Sequence, residues 1–137
     1  MKLVSIRIIT PDVKRLVAFY EKVSGMPAIQ YTDDFAELQG ALATLAIGST
    51  RTLQLFGGDQ VAQPAQNRST IIEFIVDDVD SVYQRISETI QTAMVQKPTL
   101  MPWGNKSFLF RDPDGNLVNF FTPVSAEAIR KFEKTRL

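Results

Sequence analysis

The chain has 137 residues, 45% of them hydrophobic, which is enough for one ordinary core and sets a prior of a single domain or one built from two small halves. Fifteen Lys plus Arg balance fifteen Asp plus Glu, so nothing in the net charge favours nucleic acid or an anionic membrane. With no Cys and no His, disulfides, thiolate nucleophiles, Cys/His zinc sites, a Ser-His-Asp triad and an imidazole proton shuttle are all excluded, leaving carboxylates, Tyr, Lys, Arg or a bound cofactor for any chemistry.

Residues 3 to 9 alternate, with Val4, Ile6 and Ile8 on one face and Ser5, Arg7 and Ile9 on the other, the pattern of a strand with two different faces. Thr10-Pro11-Asp12 ends it, and Asp12 is placed to cap a helix over about 13–24, where Leu16, Phe19, Tyr20 and Val23 recur at spacings of three and four before Gly25. Strands are expected at 28–32, at 36–38 or slightly beyond, at 42–47 and at 52–56, the last two joined by a Gly48-Ser49-Thr50 hairpin turn. Residues 57 to 69 are polar, carry Gly and Pro, and read as a surface linker. Gly57-Gly58 lacks the Lys-Ser/Thr of a phosphate loop and reads as the linker's start.

The pattern then begins again. Residues 70 to 76 alternate, Asp77-Asp78 supplies a cap, and Val79, Val82, Tyr83 and Ile86 form a helical stripe ending near Glu88. Further strands are expected at 93–97, 106–111 and 117–122, the last pair joined by Asp112-Pro113-Asp114-Gly115-Asn116, a strong turn sequence. An offset of 66 residues lays Asp12-Val13 on Asp78-Val79, Ser5 on Ile71 and Arg7 on Glu73; an offset of 65 lays Gln54 on Asn119. A short helix over about 125–136 closes the chain, with Ile129 and Phe132 on one side and Arg130, Lys131, Lys134 and Arg136 on a solvated face. The expected organisation is one domain, 1–137, with module one at about 1–57, a linker at about 58–69 and module two at about 70–123. The short, interrupted N-terminal apolar stretch and the absence of a run of about 20 apolar residues point to a cytoplasmic protein with neither membrane nor nucleic acid as partner.

The doubled βαβββ pattern, the segment from Ser5 to Asp12 leading into Ala18-Phe19-Tyr20-Glu21, and Pro102-Trp103-Gly104 followed by the Asp112 to Asn116 turn together resemble the vicinal oxygen chelate superfamily. That superfamily includes glyoxalases, extradiol dioxygenases, fosfomycin-modifying enzymes and bleomycin-resistance binding proteins. The resemblance extends to about Pro123 and implies an α+β fold: two βαβββ modules forming curved mixed sheets around a concave cavity, usually in a homodimer. Metal-using members place His, Glu or Gln at four related positions, which fall here on Ser5, Gln54, Ile71 and Asn119. Ile71 has no donor atom, Ser5 is a poor neutral ligand, and Gln54 and Asn119 offer only amide oxygens, so no metal and no cofactor are expected.

The expected function is metal-independent binding of a small, partly apolar or planar ligand, for sequestration, resistance or sensing. Two enzymatic alternatives stand beside it: a metal-dependent lyase or dioxygenase of the glyoxalase type, and a metal-free enzyme with Glu73 as general base, the only catalytic candidate. Candidate ligand-binding residues are Ser5, Arg7, Gln54, Glu73, Trp103, Asn119 and Phe121. Arg7 and Glu73 either pair with each other or act on a ligand, Arg7 gripping a carboxylate or phosphate and Glu73 orienting it. Gln54 and Asn119, on the faces of Phe56 and Phe121, either bond to neighbouring strands or orient a ligand; Trp103 is either a lid on the core or an aromatic wall. Phe108, Phe110, Val118 and Phe120 belong to the core beneath the helices, as do Phe19 and Tyr20 on the first helix, whereas Phe121 is the pocket-facing aromatic.

Overall fold

The computed structural model describes residues 1–135, which form two compact units: 1–67 together with 113–115, and 68–112 together with the chain from 116 onward. Each is a βαβββ module with an open, four-stranded mixed sheet.

In the first unit, β1 (Ser5–Thr10) leads into α1 (Val13–Ser24), and β2 (Ile29–Thr32), β3 (Phe35–Gln39) and β4 (Thr44–Ser49) follow. Asp12 caps α1 by accepting the Arg15 N–H at 3.1 Å, and Gly25, at φ 71°, closes it by donating to the Glu21 carbonyl at 2.9 Å. The sheet order is β1-β4-β3-β2, with β1 parallel to β4, so α1 is the crossover that such a pairing requires. Val13, Leu16, Val17, Tyr20 and Val23 of α1 are buried along with Ala36, Leu38, Leu45 and Ile47 of the sheet. The opposite parity, Arg7, Ala46 and Glu37 in one register row and Ile9, Gly48 and Phe35 in the next, forms the other face.

The second unit repeats the plan with β5 (Ile71–Ile75), α2 (Val79–Ile86), β6 (Met94–Leu100), β7 (Asn105–Arg111) and β8 (Leu117–Pro123), in the order β5-β8-β7-β6. Asp78 caps α2 by accepting the backbone N–H groups of Asp80 and Ser81. The core here is aromatic, as expected: Phe120 meets Phe74, Phe108 and Phe110 at centroid distances of 5.2, 5.5 and 5.1 Å, and Tyr83 packs on Phe108 at 5.5 Å. Asp112 holds the expected turn shut, accepting the Asn116 backbone N–H at 2.9 Å and its side-chain N–H at 2.8 Å.

The structure corrects four expectations. Residues 52–56 are not a strand; Thr50–Phe56 is a 3₁₀ helix, and Gly48-Ser49 ends β4 instead of turning a hairpin. The residues have strand-like composition, but β4 already has β1 and β3 on its two edges, and local bonds capture the chain as it leaves. The Ser49 hydroxyl accepts the Arg51 N–H at 3.1 Å and the Thr52 hydroxyl donates to the Ser49 carbonyl at 2.7 Å. The last strands of the modules therefore correspond at an offset of 73, not 65: Arg7 pairs with Ala46 as Glu73 pairs with Asn119, so Ala46, not Gln54, is the counterpart of Asn119. β4 starts at Thr44 rather than 42, because Gly40 donates to the Ala43 carbonyl in a preceding turn, and α2 stops at Ile86, short of Glu88.

The C-terminal helix is also shorter than expected. α3 (Ala126–Lys131), capped by Ser125, gives way at Phe132 to a 3₁₀ turn over Glu133–Thr135, and Arg136 lies outside the described residues. Its inward side is Ala128 and Phe132, four apart, whereas Ile129 is exposed. Gly104 makes this docking possible: its carbonyl accepts the N–H groups of Val124 and Ser125, its φ is 94°, and a Cβ there would fall onto the Ser125 side chain.

Two stability outcomes follow from this packing. Phe120→Ala empties the centre of the aromatic cluster and is expected to cost about 3–5 kcal/mol, read from the denaturant midpoint. Gly104→Ala imposes both a left-handed backbone and a clash with Ser125, and is expected to cost about 2 kcal/mol or more, with a lowered melting temperature.

Candidate ligand-binding site

Each sheet has a face turned away from its helix, and most of the candidate residues lie on one of these two faces. On the first, Ser5 is exposed at the start of β1, in register with Thr44. Arg7, two residues on, has its guanidinium carbon 4.7 Å from the Phe35 ring centre and 5.4 Å from that of Phe56. It reaches them along the strand, over Gly48, where a Cβ would stand 3.4 Å from the Arg7 Cδ and 3.1 Å from the Thr52 hydroxyl. Beyond Phe35, Tyr31 lies at a centroid distance of 5.9 Å. Gln39 donates from its amide to the Tyr31 oxygen and to Glu37, both at 3.2 Å. The Tyr31 hydroxyl is held above its ordinary pKa, first by its hydrogen bond to Glu37, then by burial and the Glu37 charge.

On the second face, Asn119 donates its amide to the Glu73 carboxylate at 2.8 Å, across the row that pairs them in register. The carboxylate fixes which way the amide points, since an ionised carboxylate only accepts. The other end of the amide, Asn119 Oδ1, is enclosed and has no hydrogen-bond partner. Phe121 is only 7% exposed, and Phe132 covers it at a centroid distance of 5.2 Å, so the C-terminal segment occupies the space expected for a ligand against this ring.

Glu73 and Asn119 are thus brought together, and Arg7 gains two aromatic neighbours. Arg7 and Glu73, expected as a possible ion pair, each take partners within their own sheet. Gln54 leaves the sheet altogether: in the 3₁₀ helix it lines a cavity of about 300 Å³ with Thr50, Arg51, Asp59 and Gln63. Trp103 stands 67% exposed in the turn before β7, which removes the reading of a core lid. Phe35, Tyr31, Glu37 and Gly48 were not among the candidates, although Phe35, Glu37 and Gln39 alternate against Ala36 and Leu38 in the sequence and so declare a second face.

Beside the Arg7 group, Arg51 donates to Asp34 at 2.7 Å and the Ser49 hydroxyl donates to the same oxygen at 2.8 Å. These bonds, Arg51's first, hold the Asp34 carboxyl below its ordinary value of 3.8, and the Ser81 hydrogen bonds do the same for Asp78.

The donor set does not suit a divalent ion. The row of β1 and β4 that matches Glu73 and Asn119 holds a guanidinium and a methyl group, Arg7 and Ala46; the neighbouring row holds Ser5 and Thr44, matched by Ile71 and Leu117. Among these first- and last-strand positions Glu73 is the one carboxylate, already bonded to an amide, and Glu37, which continues the Arg7–Ala46 row on β3, already accepts from Gln39. Among the described residues, no three Asp or Glu side chains converge as a metal site elsewhere.

Two open mixed sheets, each βαβββ with its first and last strands parallel, define a class, and the comparisons agree on which. The sequence profile of the Glyoxalase/Bleomycin resistance protein/Dioxygenase superfamily matches residues 2–120, and the chain belongs to that superfamily. It is 26% identical over 125 residues to the uncharacterised protein YraH of Bacillus subtilis, covering 88% of this chain and 98% of that one. A second uncharacterised protein of the same organism, YwbC, is 26% identical over 117 residues, with coverage of 83% and 91%. In fold, the chain is similar to a glyoxalase/bleomycin resistance protein/dioxygenase family enzyme from Burkholderia phytofirmans, with a TM-score of 0.79 at 18% identity, covering 90% of this chain and all of that one. Among the described residues, no helix is long and apolar enough to cross a membrane.

The lowered carboxyls set the acid limb of stability. A carboxyl whose pKa falls on folding contributes stability above its unfolded value, and that stability disappears as pH falls through the folded value. The melting temperature is therefore expected to decline from about pH 4 downward. Asp34→Asn should lower it at pH 7 and flatten that decline, leaving the part due to Asp78, as followed by thermal melts from pH 2 to 7.

Proposed function

We propose that the protein binds a small, partly apolar or planar molecule without a metal, for sequestration, resistance or sensing. One observation carries the reading: of the four positions that the family resemblance assigns to metal ligands, three hold Ser5, Ile71 and Asn119 and the fourth holds Ala46 in place of Gln54, a set without a carboxylate, while Arg7, Glu73 and Asn119 on the same faces are suited to hydrogen-bonding an organic molecule. Ser5 lies on the same face as Arg7, and the exposed indole of Trp103 is available to report on binding. Phe121, covered by Phe132, acts in this reading as a support for Asn119 two residues away on the same face. Gln54 lies outside the proposed site, in the 3₁₀ helix. The protein is proposed to work in the cytoplasm as a homodimer, which light scattering would reveal as twice the chain mass.

The test is metal content and thermal shift on purified protein with added Mn²⁺, Ni²⁺, Zn²⁺ and Fe²⁺, followed by a panel of planar organic compounds monitored by Trp103 fluorescence. The expected outcome is less than a tenth of a metal per chain, a melting temperature that does not move with metal, and a rise with at least one organic compound. One bound metal per chain with a clear rise in melting temperature would overturn the proposal and direct the work to lyase and dioxygenase substrates.

A further inference from the structure

Arg7 is an exposed cation with no carboxylate partner among the described residues. The ion pairs of Arg51 with Asp34 and of Lys106 with Asp80 do not include it. Two carboxylates on this side of the first unit are engaged elsewhere: Glu37, in the same register row, with Tyr31 and Gln39, and Asp34, in the turn before β3, with Arg51 and Ser49. What holds Arg7 is aromatic. Its guanidinium carbon stands over the Phe35 and Phe56 rings, an attraction between the cation and the ring face that uses none of its N–H donors.

The backbone beneath is built for this posture. Gly48 is an interior strand position where a Cβ would stand close to the Thr52 hydroxyl, at 3.1 Å, and in contact with the Arg7 stem and the Ile9 methyl, at 3.4 and 3.7 Å, so a branched side chain there would press on the Arg7 stem. A planar fork fixed by packing loses less freedom on meeting a carboxylate than a free arginine does. Around it the rings are open to contact: Phe56 is 61% and Tyr31 54% exposed, and Tyr31 continues the aromatic surface from Phe35. A fixed, uncompensated fork beside exposed ring faces matches a molecule that is anionic at one end and flat and apolar over the rest.

We propose that Arg7, laid over Gly48 and held by Phe35 and Phe56, is the anion-reading element of the binding site, and that the ligand is a planar aromatic carboxylate. This rests on the reading of the protein as a small-molecule binder. The two nitrogen donors on one edge of the fork receive the carboxylate oxygens, and the aromatic body lies against Phe56 or Tyr31.

The experiment compares 2-naphthoate with the neutral 2-naphthamide on the full chain, by heteronuclear NMR titration that follows the Arg7 Nε–H resonance as well as the backbone. The native protein is expected to bind the carboxylate at least tenfold more tightly than the amide, with the Arg7 Nε–H signal moving. Arg7→Gln, an exposed substitution that leaves the core intact, is expected to equalise the two probes, and Arg7→Lys to retain only part of the preference, since it keeps the charge and loses the fork. Gly48→Val is expected to weaken the carboxylate selectively by displacing the stem. Equal affinity for both probes in the native protein, or a preference that survives Arg7→Gln, would overturn the proposal while leaving the binding function in place. Failure of both naphthyl probes while another neutral planar compound binds has the same meaning. If no planar compound binds, both this inference and the binding function fall.

Discussion

The parallel pairing of first strand with last in each module is the constraint from which the rest follows. A parallel pair cannot be closed by a tight turn, so the chain must cross over through α1 in one unit and α2 in the other, and that crossover covers one face of each sheet. The register of the pair then decides which side chains share the uncovered face. Because Arg7 stands opposite Ala46 and Glu73 opposite Asn119, a cation with a small neighbour results in one sheet and a hydrogen-bonded acid and amide in the other.

The two modules solve the same packing problem with different materials. α1 is buried against Ala36, Leu38, Leu45 and Ile47, small and aliphatic, and Tyr20 is the large residue that fills the space. In the second unit the sheet supplies the bulk, through Phe74, Phe108, Phe110 and Phe120, and α2 is a short helix of eight residues with Val79 and Ile86 buried. The second unit also adds a cover on its other face, where Ala128 and Phe132 come down beside Gly104 and Phe121. The first unit leaves the corresponding surface to Arg7, Phe35, Tyr31 and Phe56, three of them aromatic and two of these largely exposed.

Much of this was legible in the sequence because it is local or periodic. Asp12, Gly25, Asp78 and the Asp112 to Asn116 turn act through bonds to residues within four or five positions, and alternation places Phe108, Phe110, Val118 and Phe120 of β7 and β8 in the core without knowledge of partners. The illegible part was settled by partners distant in the chain. Thr52 to Phe56 alternates like a strand, yet no strand edge remains beside β4, so side-chain bonds from Ser49 and Thr52 wind it into a helix. That one error carried Gln54 into the candidate site and kept Ala46 out. The covering of Phe121 was likewise invisible, since it depends on a helix docked through the backbone of Gly104.

Equivalent first strands and helix starts lie 66 residues apart, but equivalent last strands lie 73 apart, so the second copy holds seven more residues from the start of its helix to its final strand. They extend its middle hairpin: β6 and β7 have seven residues each where β2 and β3 have four and five. In the second copy the lengthened hairpin carries the Gly104 turn on which the C-terminal helix settles, while the shorter copy has no such cover among the described residues. Two halves of one plan thus differ in cover: the longer hairpin anchors the C-terminal helix, and the shorter leaves Arg7, Tyr31 and Phe56 exposed.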